Sequence, residues 1–268
     1  MLFRSGSFVV IRELAQDVDG FDAFVTRKAD ELRGMITDSD QMAYRDLYKV
    51  IGQYPDKEWV KAKLMGRWPN GRPLVGNPVN TASPKPGDPD TAACLAAETE
   101  NDFAFGSDDP QGLACPFGSH IRRTNPRDSK EPGDVKEQII TNRHRLLRRG
   151  RTYVKPGADG SIEKGLFFVS LCADLERQFE FVQQVWSNSS NFHGLTNEPD
   201  PVFGADTPNP ETGDTCPRNF TIPTASGPIK LTGMQNFVAV RAGGYFFLPS
   251  RSALTWLTDV ALSQASSE

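Results

Sequence analysis

The chain has 268 residues and a formal net charge of −4, from 30 Lys and Arg against 34 Asp and Glu. That balance excludes a general affinity for nucleic acid, and no run of the chain is apolar enough to span a membrane. With 38% hydrophobic and 24% charged residues, the composition is that of a globular protein able to bury a sizeable core, in one large domain or two small ones.

Ser7 to Leu14 is β-branched and apolar and predicts a strand buried near its centre on both faces. No cleavage-site pattern precedes it, which favours the cytoplasm. Asp17 is placed to cap a helix running to about Leu32, with Phe21, Phe24, Val25, Lys28 and Leu32 on one face. Lys57 to Trp68 reads as a short helix stopped by Pro69 and the Asn70-Gly71 turn. From there to about residue 113 the chain reads as loop, densest in Pro, Gly, Asn and Ser between Pro73 and Pro89. Asp102, Asp108 and Asp109 lead into the next motif, and acidic turns of this kind are common without a cation.

Ala114 to Arg127 places His120 behind a Cys-Pro turn, with Arg122, Arg123 and Arg127 following. A neutral imidazole is a common ligand of zinc and of haem iron. A lone histidine suits haem better, because zinc needs about four ligands whereas haem iron asks the protein for one axial imidazole. The three arginines would then suit haem propionates, since guanidinium grips carboxylate in a two-pronged geometry. A histidine beside arginines is also what a surface loop looks like, and the segment by itself leaves both accounts open.

After a polar linker from Asp128 to Asp134, Asn142 to Val154 carries His144 and a run of arginines. Strand periodicity sets Arg143, Arg145, Arg149 and Arg151 on one face and Arg148 with Leu146 on the other, so Arg148 is expected to point inward. Pro156 to Gly160 predicts a turn into Gly165–Cys172, the most hydrophobic run and a central strand. Asp174 would cap a helix whose buried stripe is Leu175, Phe179, Val182 and Trp186. Residues 187 to 235 read as loop, because seven prolines from Pro199 to Pro228 oppose regular ladders. A strand at Phe237–Arg241, the run Tyr245–Ser250 and a helix through Leu262 close the chain. The four cysteines, Cys94, Cys115, Cys172 and Cys216, lack metal-finger spacing and are expected as thiols, Cys172 buried.

This order of strands and helices is the split βαβ pattern of a ferredoxin-like α+β fold: an antiparallel sheet with helices on one face, here with long loop insertions. With the segments placed, the chain resembles the C-terminal part of the dye-decolorising (DyP-type) haem peroxidases. The resemblance runs through Gly6–Arg12, Trp59–Pro69, the Cys-Pro-x-x-x-His-Ile-Arg-Arg-x-Asn-Pro-Arg string, His144–Tyr153, Gly165–Trp186 with its Glu-Arg-Gln-Phe-Glu-Phe string, and Tyr245–Ser250. It implies that residues 1–268 are a single domain equivalent to that C-terminal part, with one haem b. It makes His120 the proximal iron ligand, Arg123 a propionate contact and Arg148 the distal arginine, while Arg122 and His144 are expected around the same cofactor. Hydrogen peroxide and a bulky organic reductant would be the substrates.

In that family a hydrogen-bond acceptor polarises the proximal histidine. Asp174 and Asn236 are the candidates, and Asp174 equally reads as a helix cap. The resemblance departs at one point. The family's distal aspartate lies in a Gly-x-x-Asp-Gly motif on an N-terminal domain, and this chain has only Pro156-Gly157-Ala158-Asp159-Gly160 in its place. The expectation is therefore a peroxidase half, impaired alone, that either pairs with an N-terminal half supplied in trans or forms a homodimer; the alternative is a haem-binding or structural relic without turnover.

Overall fold

The computed structural model describes residues 6–38, 41–51, 55–77, 101–129, 135–157, 160–206 and 218–265. Cys94, Cys216, Asp159 and most of the Pro73–Pro89 segment lie outside them. The chain divides into two compact units, one of Met1–Gln16, His144–Val182 and Ala239–Glu268, the other of Asp17–Arg143 and Gln183–Val238.

The first unit is built on four strands: β1 (Ser7–Gln16), β2 (Leu147–Pro156), β3 (Ile162–Cys172) and β6 (Val238–Leu248). Their order in the sheet is β2-β3-β1-β6, with β1 and β2 both antiparallel to β3. Numbered within this unit alone, that is the 2-3-1-4 order of the split βαβ fold, so the expected ferredoxin-like architecture is present. The hydrophobicity of β3 follows from its interior position. Val10 and Arg148 both pair with Ser170 and so share one face. On that face Val10, Cys172 and Phe179 form a small buried cluster, with Phe8, Leu146, Phe168 and Leu175 packed against it. The other face is left open, with Ile11, Phe167 and Leu147 exposed.

Asp174 does cap the following helix, accepting the Arg177 N–H, but Leu175–Glu180 winds as π-helix rather than the α-helix expected. Phe179 is nonetheless buried as the stripe requires. The basic run also differs from its reading. Arg143 ends a helix rather than lying on the strand, and Arg148, although on the cluster's face, is exposed because β2 is an edge strand.

The second unit holds helices α1 (Val18–Asp38), α2 (Met42–Ile51), α3 (Lys57–Met65), α4 (Phe105–Asp108), α5 (His120–Thr124) and α6 (Val135–Arg143). It also holds a hairpin of β4 (Arg218–Thr224) and β5 (Gly227–Met234). Asp17 caps α1 through the Gly20 N–H, and Phe24, Val25, Lys28 and Leu32 are buried as the spacing predicts. They join Trp59, Val60, Leu64, Phe220, Ile222 and Ile229 in one core. The hairpin corrects the reading of residues 187–235 as loop. A two-stranded ribbon has free edges on both sides, and Pro223 and Pro228 pair beside the turn, where no ladder donor is needed. Helices α2 and α6 were likewise unexpected; α2 contributes Ala43 and Leu47 to the core.

Helix α3 stops at Gly66 rather than at Pro69. Gly66 takes the left-handed conformation (φ 87°) and its N–H returns to the Ala62 carbonyl. A Cβ there would lie 2.4 Å from Ile121 Cγ1. Gly66→Ala is therefore expected to destabilise the fold by about 1–3 kcal/mol, read as a lower urea midpoint with an unchanged denaturant slope.

Candidate functional site

His120 stands at the start of α5, and the turn before it is fixed by buried charge. Asp109 accepts the N–H groups of Ala114 and Cys115 at 3.1 and 2.8 Å. Arg122 donates to the Asp109 carboxylate at 3.2 Å, to the Asp109 carbonyl at 3.0 Å and to the Cys115 carbonyl at 2.8 Å. Its guanidinium lies 4.8 and 4.4 Å from the ring centres of Phe105 and Phe117. From α3, Lys63 donates to the carbonyls of Leu113 and Ala114, and Ser119 returns a hydrogen bond to the Lys63 carbonyl. Burial lowers the Lys63 ammonium to about 8 and raises the Cys115 thiol to about 11. Cys115 is thus a buried, inert thiol, and Cys172 is buried and unpaired as expected.

In the structure the arginines after His120 are engaged by the protein's own groups. Arg122 and Arg123 are both fully buried. Arg123 donates from Nε and Nη2 to the Trp186 carbonyl at 3.0 and 2.7 Å, from Nη1 to Glu198 at 2.6 Å, and from Nη2 to Ser189. The Arg123 guanidinium is thus held by carbonyl oxygens in the interior. Burial lowers it to about 10, the charges of Asp200 and Glu198 working the other way. Arg127 is likewise engaged by the carbonyls of Asn101 and Phe103.

His120 itself keeps an open side. Its Nδ1 lies 2.9 Å from Asp200 Oδ2, its side chain is 17% exposed, and Phe203 meets its ring edge-on at 5.5 Å. Burial opposes the charge on Asp200, but the His120 charge and hydrogen bond and the N–H groups of Val202 and Phe203 outweigh it and hold the carboxyl below its ordinary value. An ionised carboxylate only accepts, so Nδ1 carries the proton, and it is in the neutral ring that Nε2 presents a lone pair. Among the described residues Nε2 has no hydrogen-bond partner, and this donor fits one axial position of a haem iron.

Asp200 was missed in the sequence, lying among prolines in a segment with no periodicity. Neither candidate acceptor serves: Asp174 caps its helix, and Asn236 donates to Asp206. In the other unit, His144 stacks on Phe181 at 3.9 Å, and its Nδ1 meets the Arg177 carbonyl and must carry the proton. Arg148 there projects from β2 into solvent, with no partner recorded among the described residues. Asp108 and Asp109 accept local backbone N–H groups, and no cluster of metal-ligating side chains occurs among the described residues. No helix of the described residues is long and apolar enough to cross a membrane.

Residues 96–198 match the family model described as Dyp-type peroxidase, C-terminal. The chain is 31% identical over 264 residues to the multifunctional dye peroxidase DyP2 of Amycolatopsis sp., covering 93% of this chain and 48% of that protein. Its fold matches an ancestral D-type dye decolorizing peroxidase with a TM-score of 0.67 at 26% identity, covering 93% and 51% of the two chains. A DyP-type peroxidase of Anabaena sp. has the same fold at a TM-score of 0.68 and 24% identity, over 94% and 47%. The chain spans about half the length of the curated relatives it matches.

Asp109→Ala should cost about 3–5 kcal/mol, because it leaves the Arg122 guanidinium buried without its counter-charge. Chemical denaturation would read this loss. A cost under about 1 kcal/mol would mean that the turn before His120 does not depend on the pair.

Proposed function

We propose, from the premise that this chain belongs to the Dyp-type peroxidase family through its C-terminal region, that it binds one haem b through His120 and takes part in peroxide-dependent oxidation of bulky organic reductants. The observation that carries the reading is the His120–Asp200 pair, which fixes the imidazole tautomer and leaves one nitrogen open. Haem, when bound, supplies the redox chemistry. Asp200 accepts the Nδ1 proton of His120, holds the ring's orientation and raises the basicity of Nε2. Arg148 is the charge-stabilising group, an electrostatic role suited to an exposed guanidinium that no described residue engages. His144, its ring already oriented by Phe181 and the Arg177 carbonyl, would line the cofactor. Arg122 and Arg123 act by holding the histidine's turn.

No Gly-x-x-Asp-Gly occurs in the 268 residues, and Asp108 and Asp109 are committed to their own turns. A proton-shuttling carboxylate of that motif would therefore lie outside these 268 residues, and an N-terminal half supplied in trans is one form it could take. The second reading is haem binding without turnover, and it rests on the same His120–Asp200 pair. Ile11, Leu147 and Phe167 on the open sheet face favour association of the chain, with a homodimer as the simplest form.

His120→Ala should abolish the Soret spectrum of the axially ligated complex, and Asp200→Ala should weaken haem affinity about 10–100-fold. An unchanged spectrum in His120→Ala would overturn the assignment. Shuttle loss typically costs roughly 10²- to 10⁴-fold in rate, so dye oxidation by the chain alone should be slow and should rise on adding an N-terminal half. Arg148→Leu should remove a further factor of about 10²–10³. Peroxide-dependent turnover at any measurable rate favours the first reading over the second. Sedimentation at several concentrations tests the dimer, and a monomer throughout would exclude it.

A further inference from the structure

The proposed iron ligand is oriented by Asp200, and Asp200 is itself held by a segment with no regular structure. Its N–H donates to the Ser187 carbonyl at 2.7 Å, its carbonyl accepts the Gly204 N–H at 2.9 Å, and its Oδ1 accepts Val202 and Phe203. These bonds close a tight turn over residues 200–204, but something outside the turn must fix where it stands. Strand β4 meets this segment at two places. Thr221 donates its N–H and hydroxyl to the two oxygens of Glu198, which is buried beside Asp200 in the chain. Arg218 donates from Nη1 to the Gly204 carbonyl at 2.7 Å, and its Nε lies 2.9 Å from Asp206 Oδ1.

Arg218 is 2% exposed. A charge that deep is costly unless it is paired, and it is not there to make the core more stable. Nη1 bonds the Gly204 carbonyl and Nε stands within ion-pair distance of Asp206, so Arg218 ties β4 to both ends of the span 204–206, while its Nε and Nη2 make no hydrogen bond among the described residues. The charges of Asp206 and Asp200 both favour the guanidinium against burial, so Arg218 senses the very carboxylate that the turn presents to His120.

We propose that Arg218 is a positioning residue for the iron ligand: by clamping residues 204–206 from β4 it sets the Asp200 carboxylate against His120 Nδ1 and so governs the imidazole's tautomer and donor strength. This rests on the assignment of His120, but the contact it explains is between two side chains of this chain. Two effects of removing Arg218 are therefore separable. Loss of positioning loosens the Asp200–His120 bond and makes Nε2 a weaker donor. Loss of charge alone would leave the bond intact and make the Asp200 carboxylate, and through it the imidazole, more electron-donating.

The test uses the full 268-residue chain, with Arg218→Met and, because a buried arginine can be needed for folding, Asp206→Asn at a side chain that is 40% exposed. Nitrogen-15 NMR of the haem-free protein reads the His120 Nδ1–H. In Arg218→Met this proton should exchange with water at least about tenfold faster than in wild type, with a smaller change of the same sign in Asp206→Asn. After haem loading, the ferric–ferrous midpoint should move to a more positive value in both variants. An unchanged Nδ1–H in both variants overturns the proposal, and so does a midpoint that moves to a more negative value. If the chain takes up no haem, the reading of its function fails, while the NMR experiment still decides whether Arg218 positions Asp200.

Discussion

The guanidinium of Arg123 joins the helix that carries His120 to the segment that carries Asp200. Three carbonyls, from Trp186, Ser189 and Glu198, converge on it in the interior. Those oxygens lie where the chain leaves the helical segment Val182–Ser187 and turns back around the single 3₁₀ turn Phe192–Gly194. Buried carbonyls without donors are costly, and so is a buried cation without acceptors; each here relieves the other. The consequence is geometric. A three-residue step along α5 separates the imidazole from the planar fork of Arg123, so fixing the fork helps to fix the distance from His120 to Asp200.

The arginines that follow His120 also hold the protein's own backbone together. Guanidinium suits carboxylate, but it suits two or three carbonyl oxygens equally well, because its five N–H donors lie in one plane. Sequence shows the donors and hides the acceptors. Arg122 found one carboxylate, Asp109, thirteen residues upstream, and the backbone around it; Arg123 found backbone only.

The parts of the fold that were legible are those where one local cause suffices. The β1 and β3 patterns, the Asp17 and Asp174 caps and the buried stripe of α1 each depend on neighbours within a few residues. The β4–β5 hairpin was hidden because proline was weighed as a breaker without asking whether its strand would have a free edge. Among the residues of α2 whose side chains are described, Ala43 and Leu47 are the buried pair, too short a pattern to stand out. The π-helical turns leave the capping residue and apolar stripe of an α-helix in place, so the difference is invisible in spacing. At the candidate site His120 was readable from its motif, whereas Asp200 was not: the two are eighty residues apart and only the folded turn makes them neighbours.

Strand β2 has one further property. It lies at the margin of its sheet, with a row of backbone groups that no strand pairs on its outer side. Such a row is a template for any extended chain that drifts against it, the first step toward fibrous aggregates. Arg149 and Arg151 are exposed on that strand and Pro156 ends it, while Lys155 pairs with Glu13 and Glu163. An incoming strand would have to bring its own backbone alongside these hydrated cations and give up a hydrogen bond at the proline. The basic run that resembles a ligand-binding patch therefore also keeps the protein from polymerising through its own sheet.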